Sequence, residues 1–231
     1  MKLTTRTGKI SYPGNKGVPT IAPNLINLIP MHKVYWELCL GSGGLSRWLQ
    51  LPQLAIGFEI DKAVVKKFTP SYPPGLVVIN NCHSGILQEL KYLGPDHFIY
   101  IDPPYPKSSR RSPVDIYNYE WSDEQHINLL SSIKDTRALV AISTYQNKLY
   151  DEMLPQWNKK IFPTCVHGKV AAEVVMYNYA DPVDKIDYRF HGKNKTDRQR
   201  FKRKIARWIN RLQALPAQER VAILNYLISE G

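Results

Sequence analysis

Phe98-Ile99-Tyr100-Ile101-Asp102-Pro103-Pro104-Tyr105-Pro106 is the stretch that decides how this chain reads. Its β-branched and aromatic run predicts a buried strand, which two prolines then stop. An acid and a ring are thereby delivered at a strand's carboxyl end, where open α/β sheets bind ligands. Consecutive prolines fix φ and remove two donors, which leaves backbone carbonyls free to accept hydrogen bonds. An acid, a free carbonyl and a flat ring on one rigid turn suit the exocyclic amine of a planar base. The bland alternative is a strand-ending turn with a solvated Asp102 and a packing Tyr105.

Upstream, Val34 to Leu40 predicts a strand, Gly41-Ser42-Gly43-Gly44 a turn, and Leu45, Trp48 and Leu49 the start of a helix. Glycines let the backbone approach a ligand closely, and a helix N-terminus offers unpaired N–H groups. Leu54 to Ile60 predicts the next strand, with Glu59 and Asp61 at its end. An acid about 20 residues past a glycine turn suits ribose hydroxyls; stabilisation of a helix N-terminus suits Asp61 better than Glu59. Leu76 to Ile79 predicts a third strand leading into Asn80-Asn81-Cys82-His83, and Ile86 to Leu93 a short helix. Before all of these, Ile10 to Gly17 is a turn-rich loop carrying Tyr12 and Lys16. It opens a helix over Thr20 to Ile29 that Pro30 ends.

Downstream, Pro106 to Asn118 has no period and carries Lys107, Arg110 and Arg111, a basic loop fit to hold phosphates or close over a substrate. Ser122-Asp123-Glu124-Gln125 starts a capped helix with Ile127, Leu129, Leu130 and Ile133 on its buried side. Ala138 to Ser143 predicts a fifth strand and Val170 to Tyr179 a late one. Strands and helices in alternation imply an α/β fold with a doubly wound, mostly parallel sheet.

The 231 residues suit one α/β domain with an appendage: a catalytic domain over 1–185 and a basic helical extension, packed on it, over 186–231. Thirty-one Lys and Arg against 20 Asp and Glu give a formal +11, which favours nucleic acid before membrane surfaces. Between Arg189 and Arg211 lie ten basic residues and a single acid, Asp197. Phe201, Ile205, Trp208, Ile209 and Leu212 recur there at helical spacing, and Pro216 opens a second helix. Arg198, Arg200, Lys202, Arg203, Lys204 and Arg207, with Lys107, Arg110 and Arg111, are the expected phosphate contacts. There is no apolar run of about 18 residues and no signal-peptide pattern, so no membrane partner is expected. Cys39, Cys82 and Cys165 lack metal spacing and read as reduced thiols of a cytoplasmic protein, and the six His add no zinc pattern.

Together these motifs resemble the S-adenosylmethionine-dependent DNA N6-adenine methyltransferases of the adenine methylase type, especially the short phage and prophage forms. The resemblance spans nearly the whole chain. It rests on Tyr12-Pro13-Gly14-Asn15-Lys16, Glu37-Leu38-Cys39-Leu40-Gly41-Ser42-Gly43-Gly44, Phe58-Glu59-Ile60-Asp61, Asp102-Pro103-Pro104-Tyr105, Ser143-Thr144-Tyr145, and Glu173 with Asn178-Tyr179. It implies a Rossmann-like methyltransferase fold and a cofactor contacted by Tyr12, Lys16 and Glu37. Gly41, Ser42, Gly43 and Gly44 would hold its methionine end, Glu59 its ribose, and Asp102 would sit between cofactor and base. Asp102, Pro103, Pro104 and Tyr105 become the catalytic residues, double-stranded DNA the partner, and a monomer or weak dimer the state.

Two departures stand out. The family often has Asp after the third strand for the cofactor's adenine, where this chain has Asn80-Asn81-Cys82-His83. Only Cys82 to His97 then precede the catalytic strand, too few for the target-recognition domain of longer relatives. An RNA guanine-N2 methyltransferase with the same Asp-Pro-Pro-aromatic motif is the second reading, and an inactive DNA-binding module the third.

Overall fold

The computed structural model describes residues 12–81, 84–110, 114–166 and 169–229. Cys82, His83 and Arg111 lie outside them. The chain divides into two compact units, Met1–Asp187 and Tyr188–Gly231.

The first unit is built on seven strands: β1 (Val34–Leu38), β2 (Leu54–Phe58), β3 (Leu76–Ile79), β4 (His97–Ile101), β5 (Leu139–Thr144), β6 (Asn158–Val166) and β7 (Lys169–Tyr177). They form one sheet in the order β3-β2-β1-β4-β5-β7-β6. The first five are parallel, and β7 runs antiparallel to both β5 and β6. The doubly wound, mostly parallel sheet expected from the sequence is therefore present. From β1 the chain winds outward to β2 and β3, then returns to place β4 on β1's other side. That reversal opens a crevice at the carboxyl ends of β1 and β4, where α/β sheets bind ligands. Phe98, Ile99, Tyr100 and Ile101 are all at most 1% exposed, the continuous apolar run of a strand covered on both faces.

Three elements differ from the sequence reading. No regular helix follows the glycine turn: residues 41–48 form successive turns, with Arg47 N donating to Gly43 O and Trp48 N to Leu45 O. Gly41 and Gly43 stand at positive φ, which interrupts a right-handed helix. The strand β6 was not foreseen, because Lys159, Lys160 and Pro163 disguise it. Those residues suit the sheet edge that β6 occupies. The expected helix over Ile86 to Leu93 is divided into α3 (Ser84–Leu87) and a 3₁₀ turn at Leu90–Tyr92.

The helices α1 (Ala22–Ile26), α2 (Lys62–Phe68), α4 (Asp123–Ile133) and α5 (Lys148–Met153) complete the first unit. Ser122 caps α4 in a reciprocal box with Gln125. Leu129, Leu130 and Ile133 are buried, but Ile127 is 42% exposed, and His126 takes its expected place on the inner face. Spacing explains the exchange, since 126, 129, 130 and 133 form one helical stripe. His126 shares a 3.0 Å hydrogen bond with Tyr150, and burial lowers its pKa to about 4.

In the second unit, α6 (Lys195–Ala214) precedes α7 (Ala217–Ser229). On α6, Phe201, Ile205, Trp208 and Leu212 share one stripe, while Arg200, Arg203, Lys204, Arg207 and Arg211 share another. No described helix is long and apolar enough to cross a membrane.

Ser122→Ala removes the α4 cap and is expected to cost about 1 kcal/mol. Calorimetry should then show a melting temperature lower by about 2–4 °C. An unchanged melting temperature would mean the box contributes nothing.

Candidate active site

Parallel pairing of β1 with β4 sets Leu38 opposite Ile101, and Asp102 N donates to Leu38 O at 3.3 Å. The two loops that leave these strands, Cys39–Gly44 and Asp102–Tyr105, therefore start side by side. Between them opens a cleft of about 910 Å³, the open solvent at its mouth included, within the range of ligand sites. Tyr12, Lys16, Glu37, Gly41, Ser42, Gly44, Glu59 and Asp102 all line it. Of the residues expected to bind cofactor, only Gly43 does not. A Cβ there would meet the Tyr72 ring at 2.8 Å, so Gly43 serves the turn's packing.

The glycine turn is pressed against the loop of residues 12–16. A Cβ on Gly44 would stand 2.3 Å from Asn15 Oδ1, and one on Gly41, at φ +54°, 2.6 Å from the Tyr12 ring. Only glycine permits either approach. The adjoining Ser42 Oγ is buried with no hydrogen-bond partner, a polar atom left over at the cleft wall. Such an atom is costly unless something else satisfies it.

Four carboxylates border the cleft. Glu37 is 3% exposed and accepts the Tyr35 hydroxyl at 2.8 Å, and burial pushes its pKa up to about 7. Glu59 accepts Gly41 N at 2.7 Å through one oxygen and Asp61 N at 2.9 Å through the other, so it staples β2's end to the glycine turn. Burial raises its pKa. Asp61 caps α2, accepting Ala63 N at 2.8 Å, as the helix-terminus reading anticipated. Its other oxygen accepts Asn118 Nδ2 at 2.8 Å. The fourth is Asp102. Its Oδ1 accepts Lys16 Nζ at 2.8 Å and stands 3.3 Å from the Tyr105 hydroxyl oxygen. Burial raises the Asp102 pKa while Lys16 opposes the rise. Burial likewise disfavours the Lys16 charge, but Asp102 and Glu173 override it and the ammonium's pKa is raised.

Pro103 is buried and Tyr105 half-buried outside the cleft lining, whereas Pro104 lines it. Tyr105 donates to Glu173 at 2.5 Å, and the Tyr145 ring packs edge-on at 4.7 Å between centroids. Asn178 braces the sheet instead, accepting Val140 N and donating to Ala138 O, each at 2.8 Å. After β3, Asn80 donates to Glu59 O at 2.8 Å and Ile60 O at 3.1 Å, supporting the end of β2. Neither Asn80 nor Asn81 lines the cleft; Cys82 and His83 lie outside the described residues.

Ile116, Tyr117 and Asn118, the end of the loop expected to close over a substrate, line the cleft together with Tyr119 and Trp121, which the sequence reading missed; the segment Ile116–Trp121 forms the cleft's far wall. Glu120 folds it, accepting Ile116 N at 2.7 Å, Tyr117 N at 3.1 Å and the Arg110 guanidinium at 2.9 and 2.5 Å. Arg110 also donates to Tyr105 O at 2.8 Å. Expected to meet phosphates, Arg110 is instead only 5% exposed and fastened inside the protein. Lys107 is exposed and pairs with Asp115 at 2.6 Å, an ion pair of the kind that contributes little. Arg111 lies outside the described residues.

Burial pulls the Glu120 pKa up, but Arg110 and the two backbone N–H groups override it and lower it to about 2. A depressed carboxyl pKa contributes stability above its ordinary value near 4.5, and loses it as pH falls towards 2. Glu120→Ala leaves the Arg110 guanidinium buried and unpaired, which should cost about 3 kcal/mol. Titration calorimetry should show cofactor affinity falling roughly tenfold, one decade per 1.4 kcal/mol, as the wall loosens. Unchanged affinity would contradict this role.

Residues 77–162 match the family model of the D12 class N6 adenine-specific DNA methyltransferases. That stretch runs from β3 into β6 and contains Asp102–Tyr105 and the Ile116–Trp121 wall. No curated protein sequence matches the chain. Among solved structures, the chain is similar to TrmK from M. capricolum in complex with S-adenosyl-homocysteine, at 9% identity and a TM-score of 0.43, covering 88% of this chain and 92% of that one. It is similar also to magnesium protoporphyrin IX methyltransferase from Synechocystis PCC 6803 with bound S-adenosylmethionine, at 13% identity and a TM-score of 0.44, covering 68% and 74%. Spermidine synthase from Thermotoga maritima gives 12% identity and a TM-score of 0.49, covering 78% and 66%. Residues 77–162, which hold the Asp102–Tyr105 turn, are thus similar to the D12 class N6 adenine-specific DNA methyltransferases.

Proposed function

We propose that this chain transfers a methyl group to N6 of an adenine flipped out of double-stranded DNA. The observation that carries the reading is the position of Asp102. It lines the cleft beside the glycine turn, on a turn that also holds a free carbonyl and a ring. The D12 match covers this turn and favours adenine N6 over the guanine N2 of RNA.

The cleft fits S-adenosylmethionine. Ser42 Oγ is available for a polar group of the ligand, Glu37 and Asp61 for its cationic and hydroxyl groups, and the Tyr12 and Tyr117 rings for its base. Glu59 would reach ribose hydroxyls through the lone pairs left beyond its two backbone bonds. Bound there, the cofactor supplies an electrophilic methyl. Adenine N6 is a weak nucleophile because its lone pair is delocalised into the ring. Asp102 Oδ2 has no hydrogen-bond partner among the described residues and would accept one N6 hydrogen, the Pro103 carbonyl the other. Lys16, on Oδ1, holds the carboxylate ionised in a site whose burial would otherwise favour its protonation. Positioning and electrostatics would then promote direct transfer, with the base stacked on Tyr105: the N6–carbon bond would form as the methyl–sulfur bond breaks to leave a thioether, and the surplus N6 proton would pass to Asp102 Oδ2. Flipping costs a few kcal/mol, offset in part by phosphate contacts. Lys107 and the α6 cations would supply them: Arg198, Arg200, Lys202, Arg203, Lys204 and Arg207.

Asp102→Ala is expected to lower methyl transfer to duplex DNA by about 1,000-fold or more, a loss typical of removing a group that stabilises the transition state. Its DNA affinity should stay within about threefold. Labelled methyl incorporation and a binding isotherm measure both, and sustained turnover would refute the role. Incorporation into RNA but not DNA by the unaltered chain would favour the guanine reading. Removing Arg203, Lys204 and Arg207 together should flatten the salt dependence of log K by about 0.9 per cation. An unaltered slope would remove α6 from the DNA interface.

A further inference from the structure

Glu173 takes no part in the chemistry above, yet it sits 3% exposed at the centre of the charge cluster. It reaches there from β7, whose antiparallel course brings its side chain towards the end of β4. Its Oε1 accepts the Tyr105 hydroxyl at 2.5 Å and stands 3.4 Å from Lys16 Nζ. The same hydroxyl is 3.3 Å from Asp102 Oδ1. A phenol has one proton to give, and the nearer carboxylate receives it. Lys16 Nζ lies 5.0 Å from the Tyr105 ring centroid, and Tyr145 abuts that ring at an interplanar angle of 74°.

We propose that Glu173 is a positioning residue: by accepting the Tyr105 phenol's hydrogen bond it fixes the plane in which Tyr105 receives the adenine. This rests on the adenine reading. Tyr105 follows two prolines, so its backbone is rigid, but ring rotation about the terminal torsion is soft. A hydrogen bond at the far end of the ring removes that freedom. The bond also keeps the phenol from claiming Asp102, whose acceptor capacity the target amine needs. Lys16, held between Glu173 and Asp102, serves both carboxylates, so neither is buried without a counter-charge. Misplacement of a reacting group by 1 Å can cost about a hundredfold in rate, which sets the scale of the effect.

A double-mutant cycle tests this, with kcat, the cofactor KM and the melting temperature measured for each protein on duplex DNA. Glu173→Ala should lower kcat by about 30- to 100-fold while the KM moves less than threefold. Glu173→Gln keeps an acceptor for the phenol and should recover at least tenfold of that loss. Tyr105→Phe keeps the ring and deletes the same bond from its other end, and should show a similar fall. In the Tyr105→Phe background, Glu173→Ala should cost less than threefold more, because interacting groups are not additive. An undiminished loss there, or full activity of Glu173→Ala, would overturn the inference. Should Glu173→Ala not fold, full activity of Tyr105→Phe would overturn it equally. An unaltered chain that methylates no DNA would overturn the adenine reading, and this inference with it.

Discussion

The parallel pairing of β1 with β4, with Leu38 opposite Ile101, is the constraint on which the site depends. It aligns the ends of two strands that lie about sixty residues apart in the chain, so a glycine turn and an acidic turn leave the sheet together. A slip of one residue would turn each strand's side chains to the opposite face. Phe98, Ile99, Tyr100 and Ile101 are buried on both faces, which makes such a slip costly.

At that edge the chain buries three charges together: Lys16, Asp102 and Glu173. Charges leave water only at several kcal/mol each, and pairing offsets this when the geometry is good. Each member comes from a different part of the chain, the loop before α1, the end of β4 and the antiparallel strand β7. Closing the cluster therefore ties three regions to one point. A second buried pair, Arg110 with Glu120, links the Asp102–Tyr105 turn to the cleft's far wall. Both arrangements use charge to fix geometry where a ligand has to fit.

Much of this was legible in the sequence, because the informative signals were local. The apolar run ending in Asp102-Pro103-Pro104 announces a buried strand and its stop. Gly41-Ser42-Gly43-Gly44 announces a turn with close backbone approach, and Ser122 with Gln125 a helix start. What escaped depends on partners distant in sequence. Arg110 reads as a free cation until Glu120 is folded beside it, and Glu120 itself stands in an aperiodic stretch. The edge strand β6 hides behind its lysines and proline, which are there because it is an edge. The helix expected after Gly44 fails because the two left-handed glycines that shape the turn also interrupt helical winding.

The most direct measurement is the chemical identity of the product. Duplex DNA incubated with the unaltered chain and S-adenosylmethionine, then hydrolysed to nucleosides and analysed by mass spectrometry, should contain N6-methyldeoxyadenosine and no other methylated nucleoside. Methylation of cytosine or guanine, or a methyl group found only in RNA, would contradict the assignment of Asp102 and Pro103 as acceptors for the adenine amine.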